Sequence, residues 1–226
     1  RSPKNADHFF RRNSFRTLTA DERIRAIKLL ELQRHAMLMY TSCGWFFDEI
    51  SGIETVQVIQ YSARAVQLAE ELFGVKIEEQ FLNLLSEAKS NIPDHGDARR
   101  IYEKWVKPSR VDLAKVAAHF AASSLFEPYD EETNVYCYRV RREDYRHLDS
   151  GRTKLIMGRA EISSNVTNES ARLCFACLHF GDHNLLGGVR ACDADDSYND
   201  LVRGLSEAFR RADFPECILR LDRNFS

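Results

Sequence analysis

The sequence predicts an α+β protein: an N-terminal helical bundle followed by an antiparallel β-rich part with a covering helix. Three observations carry this. Apolar residues before Pro128 recur with helical spacing; those after it alternate with a period of two; and helix starts are marked by Ser/Thr–acid pairs three residues apart. The expected organisation is an N-terminal extension over 1–20, a bundle over 21–128 and the β-rich part over 129–226.

In the bundle, Thr19-Ala-Asp-Glu22 predicts a capping box opening a helix that runs to about Tyr40. From Leu29 to Tyr40 this helix is apolar nearly all round except for Glu31, Arg34 and His35, so a central position is expected. Ser51-Gly-Ile-Glu54 predicts the cap of a second helix, ending at Phe73 with Gly74 as its stop. Its solvent stripe is Gln57, Gln60, Arg64, Gln67 and Glu71. Shorter helices are expected over 76–90 and 97–106. Ser109-Arg-Val-Asp112 predicts one more, ending before Pro128.

Beyond Pro128, NVYCYRVRREDY sets Tyr136, Tyr138 and Val140 on one strand face and Arg139 and Arg141 on the other. TKLIMGRAEIS alternates Ile156, Ala160 and Ile162 with Arg159 and Glu161. RLCFACLHF is a nearly continuous apolar strand, as a position inside a sheet requires, and GDHNLLGG has the composition of a loop. SYNDLVRGLSEAFRRAD, at 197–213, predicts the covering helix.

Composition narrows the function classes. With 226 residues, 44% hydrophobic and 29% charged, the chain is of ordinary globular type, and a net charge of −2 provides no global basic field for nucleic acid or anionic lipid. No run reaches the roughly 18–20 apolar residues of a membrane span. No signal-peptide pattern opens the chain, so the cytoplasm is the expected compartment, with the six cysteines as free thiols. The opening RSPKNADHFF lacks an initiator methionine and suggests a piece of something longer.

The connection between the two long helices, TSCGWFFDEISGIE, is unusual because such links are normally short and polar. Trp45, Phe46 and Phe47 form either an aromatic plug at the bundle end or a ligand-facing cluster. In the second case the rings stack on sugar faces while Asp48 and Glu49 accept hydrogen bonds from hydroxyls. Neither GxxxxGK nor GxGxxG is present, so no phosphate-binding loop accompanies the rings. His35, with Glu31 and Arg34, is either an internal polar cluster or part of the same ligand face. His179, Asp182 and His183 form either a loop brace or a surface for substrate or a partner domain. Cys174-x-x-Cys177-x-His179 invites a zinc reading, but strand alternation separates the two cysteines; no metal and no cofactor are expected. No carboxylate pair and no nucleophile elbow can be nominated, so no catalytic residue is assigned.

LLELQRHAMLMYTSCGWFFDEISGIETVQVIQYSARA (29–65), SSLFEPYDEETNVYCYRVRREDY (123–145) and LHFGDHNLLGGVR (178–190) closely resemble landmarks of the bacterial domain of unknown function 3536. That domain is typically the C-terminal part of proteins whose N-terminal part resembles glycoside hydrolase family 57. In that hydrolase family a barrel carries two catalytic carboxylates, and a following bundle packs at the barrel mouth and contributes an aromatic–acid segment to the sugar site. CGWFFDE, residues 43–49, is similar to that segment, with Cys43-Gly44 before the tryptophan and fewer tryptophans after it. The resemblance implies an accessory region, inactive alone. Its implied partners are a catalytic barrel of the same polypeptide and an α-glucan-type carbohydrate, with no nucleic acid and no membrane. The alternatives are a non-catalytic carbohydrate-binding module and a purely structural docking domain.

Overall fold

The computed structural model describes residues 3–192 and 195–225. The fold is α+β, with an N-terminal helical region and a five-stranded antiparallel sheet. Two compact units divide the chain, Arg1–Arg110 and Val111–Ser226.

The first unit is helical. Helix α1 (Pro3–Asn13) lies inside the segment read as an extension, and Arg23 of the next helix pairs with its Asp7 and stacks on its Phe10. Helix α2 (Ala20–Leu38) starts as the sequence predicts: Thr19 caps Glu22 N, and Glu22 returns a bond to Thr19 N. A one-turn helix, α3 (Cys43–Phe46), precedes the long α4 (Ile53–Phe73), which Gly74 ends in the left-handed region at φ 68°. The Ser51 capping box does not form. Gly52 is the N-cap and its neighbour Ser51 instead donates its backbone N–H to Glu49 at 2.8 Å, so the nearer carboxylate takes the bond. Helices α5 (Glu78–Leu85) and α6 (Ala98–Ile101, capped by Asp97) follow, with a 3₁₀ turn at Pro93–His95 between them. Helix α6 runs on into a wider turn, Tyr102–Val106, where Lys107 N bonds to Tyr102 O five residues back at 2.8 Å.

The core of this unit is Ile59 and Ala63 of α4 packed on Leu82, Ala98, Ile101, Tyr102 and Val106. Tyr102 is fully buried, and its hydroxyl donates to Glu78 at 2.6 Å, which satisfies the polar end. Helix α2 departs from its expected central place. Its buried residues are Lys28, which pairs with Glu71 of α4, and Glu31, whereas Leu30 and Met37 are exposed. The reason is geometric: α4 covers one side of α2, where Lys28 pairs with Glu71 and His35 meets Tyr61, and Leu30 and Met37 lie on the side left exposed.

The second unit begins with α7 (Leu113–Ser124). Its cap is Asp112, which accepts from Lys115 N at 2.7 Å, rather than the Ser109 box. This helix does not close the bundle. Its Val116, Ala117, Phe120 and Ala121 pack on the sheet, and Phe120 meets Phe175 edge-to-face at 5.7 Å. The division between the units therefore falls at Arg110, before this helix, not near Pro128.

The sheet is a meander, β1-β2-β3-β4-β5: Glu132–Val135, Tyr138–Ser150, Thr153–Ser164, Ser170–His179 and Leu185–Ala191. Tyr136, expected on a strand face, occupies the two-residue turn between β1 and β2 at φ 54°, because the pairing closes at Val135–Tyr138. Alternation holds in β3: Ile156, Ala160 and Ile162 lie under α7, while Leu155 and Met157 face α8 (Asp195–Arg210) and α9 (Phe214–Phe225). The segment GDHNLLGG, read as a loop, supplies the start of β5. Its glycines permit close approach: a Cβ on Gly187 would meet Ala176 O at 2.6 Å, and one on Gly188 would meet Phe225 Cβ at 2.3 Å. Cys174 and Cys192 form a disulfide, which corrects the expectation of six free thiols.

Candidate functional site

The connection from α2 to α4 is built by backbone turns. Tyr40 N bonds to Met37 O, Thr41 N to Leu38 O and Trp45 N to Ser42 O, winding the chain into α3. Two contacts hold α3 on α4: Thr55 Oγ1 donates to Gly44 O at 2.8 Å, and Gly44 lies so close that an added Cβ would come within 2.7 Å of Val58 Cγ2. Gly44 thus lets the short helix sit flush while Trp45 and Phe46 point away.

The rings are not a plug. Trp45 is 75% exposed, Phe46 76% and Phe47 52%, with Phe46 and Phe47 edge-to-face at 5.4 Å. Glu49 anchors them from behind. Its carboxylate accepts from Ser51 N at 2.8 Å, from Ser90 Oγ at 2.7 Å and from Asn91 N at 2.8 Å, while the Asn91 side-chain amide donates to Asp48 O. The Ser90 hydroxyl, and then the Ser51 and Asn91 donors, hold this carboxyl down at about 2, outweighing the desolvation that opposes them. Glu49 is therefore a brace with both oxygens engaged, and Asp48 is the exposed acid beside the rings.

Sequence reasoning missed the other half of this brace, the turn Ser90–Gly96. Its signal was present in SNIPDHG, a polar stretch with Pro93 and Gly96, the latter at φ 70°. What remained invisible was its contact with Glu49, more than forty residues away in the chain.

The remaining predicted site residues fall elsewhere. His35 lies on α2 beside Tyr61 of α4, ring centroids 5.9 Å apart, with Nε2 3.9 Å from Glu31 Oε2; Arg34 approaches the same Glu31 oxygen at 3.5 Å. These three form a polar cluster where α2 meets α4. His179, Asp182 and His183 belong to the second unit. His179 is buried at the end of β4, its Nε2 is 3.1 Å from Asp182 O, and Phe126 meets its ring edge-on at 5.0 Å. A carbonyl only accepts, so Nε2 carries the proton there. His179 thus fastens the β4–β5 turn, on which Asp182 and His183 are exposed.

Cys174 packs under α8 and α9 and Cys177 under α7, on opposite sheet faces; burial pushes the Cys177 thiol up to about 12. Among the described residues no group of three or more His, Cys, Asp or Glu is placed to hold a metal ion, and no helix is long and apolar enough to cross a membrane.

A helical unit with a braced aromatic connection between α2 and α4, and a unit built on a sandwiched antiparallel sheet, accompany a clear family match. The chain belongs to the family described as Domain of unknown function (DUF3536), whose model matches residues 1–226. No curated protein and no solved structure matches the chain.

Proposed function

We propose that this chain is the accessory region of a glycoside hydrolase family 57-like carbohydrate-active enzyme. It packs on a catalytic barrel of the same polypeptide and lends Trp45, Phe46 and Asp48 as one wall of an α-glucan-type site, with Glu49 holding that wall in place. The barrel supplies the chemistry, which in a retaining glycosidase needs two carboxyl groups about 5–5.5 Å apart. The observation that carries this reading is the trio of rings held open on a connection anchored at both ends, since sugar faces stack on exposed aromatic rings.

The outward side of α2 favours docking as part of the same role. Leu30 is 48% exposed, Met37 75% and Tyr40, just beyond the helix, 78%, and large apolar side chains exposed along one helix suit an interaction surface. The test is Trp45→Ala in the complete polypeptide, assayed on soluble starch and on short maltooligosaccharides. A fall in kcat/KM of about tenfold or more, equivalent to about 1.4 kcal/mol of transition-state binding, is expected. Unchanged kinetics on every glucan tested, with the barrel still bound, would leave the connection a docking element and refute the sugar wall.

A further inference from the structure

The first unit carries a second open feature that the aromatic wall does not use. A cleft of about 380 Å³ is lined by Asp94 and His95 of the Ser90–Gly96 turn and by Arg100, Glu103, Lys104 and Trp105 of the helix that follows. Its helical side includes the wide turn Tyr102–Val106, a local distortion that recurs at functional sites and here accompanies a half-buried Trp105.

The charges are arranged unevenly. Glu103 is neutralised by Arg99 at 3.1 Å, and Arg99 is also tied to Glu79 and Asn83. Asp97 is engaged by Lys89 and by Arg100 N. Arg100 feels the charge of Asp97, whose side chain accepts from its backbone N–H, without a direct side-chain ion pair, and Lys104 has no ion pair among the described residues; the two lie four apart along the continuing helix, where like charges repel. The Arg100 side chain is also positioned: it folds over Gly96, where a Cβ would lie 2.8 Å from Arg100 Cδ, and Gly96 is at φ 70°. Lys104 Nζ sits 5.2 Å from the centre of the Trp105 ring, which His95 meets edge-on at 5.1 Å and which also packs on the core of this unit.

Two cations without direct side-chain ion pairs beside an aromatic ring, with the exposed carboxylate of Asp94 in the same lining, match a ligand that is anionic at one end and a hydroxylated ring at the other. We propose that this cleft binds a sugar phosphate. Arg100 and Lys104 take the phosphoryl oxygens, Trp105 takes the apolar face of the ring, and Asp94 accepts from ring hydroxyls. This site is separate from the aromatic wall, and its fate does not depend on the glucan reading.

The chain has two tryptophans, so Trp45→Phe leaves Trp105 as the sole indole reporter and removes the aromatic wall from the fluorescence readout. Titrating this variant of the full chain with glucose 1-phosphate, glucose and inorganic phosphate should give a saturable fluorescence change with the ester alone below about 1 mM. Adding Arg100→Gln and Lys104→Gln should weaken it by about tenfold or more with the far-ultraviolet circular dichroism unchanged. Absence of saturation by the ester, equal binding of inorganic phosphate, or binding indifferent to the two glutamines would each overturn the proposal.

Discussion

Replacing Trp45 by alanine separates a presented ring from a packed one, and the magnitude follows from its exposure. A tryptophan buries up to about 250 Å² when enclosed, and truncating an enclosed one costs about 3–5 kcal/mol. Trp45 is 75% exposed, so only a quarter of that surface, about 60 Å², is covered by its neighbours. At about 25 cal/mol per Å², its loss removes no more than about 1.5 kcal/mol. The connection itself stays, because its anchors are Thr55 on Gly44 O and the Ser51, Ser90 and Asn91 donors on Glu49, none of which involves the indole. Urea melts of the isolated chain and its Trp45→Ala variant, followed by circular dichroism, measure the difference at constant slope. A shift within about 1.5 kcal/mol is expected. Destabilisation beyond about 3 kcal/mol would mean the ring is packed in solution, and the argument from exposure would fail.

Gly44→Ala should act differently from its neighbour: its Cβ would press within 2.7 Å of Val58 Cγ2, and overpacking of this kind costs about 1–3 kcal/mol, read in the same melts. Glu49 predicts a pH signature. Its carboxyl is lowered from 4.5 to about 2, so the stability it contributes is complete above 4.5 and is lost as the pH falls towards 2. In Glu49→Gln the difference from the parent chain should therefore be constant above 4.5 and shrink below it; a difference that does not vary across this window would contradict the bonding described. The Cys174–Cys192 disulfide closes a loop of sequence separation 18, so reduction should lower stability by roughly 3 kcal/mol. Melts with and without dithiothreitol test this, and a Cys174→Ala/Cys192→Ala chain insensitive to the reductant is the control.

Local chemistry was legible directly. The Thr19–Glu22 box, the Gly74 stop and the alternation of Ile156, Ala160 and Ile162 depend on residues a few positions apart, and each forms as its spacing requires. The same holds for the aromatic–acid string at 45–49, whose residue types can be read without a fold. What the sequence could not rank was competition between distant partners. Ser51 had a plausible capping acid in Glu54, but Glu49 was nearer in space and already oriented by Ser90 and Asn91. Helix α7 has an apolar face that suits a bundle as well as a sheet, and it packs on the sheet. Gly187 and Gly188 read as loop residues because glycine usually marks turns, yet here they admit Ala176 O and the Phe225 ring against a strand. Helix α2 shows the same limit most plainly: from Leu29 on its sequence reads as apolar nearly all round, but which side would be covered depended on α4 meeting Lys28 and His35. That choice left Leu30 and Met37 facing outward, because burial is a property of the neighbours a residue meets and not of its own side chain.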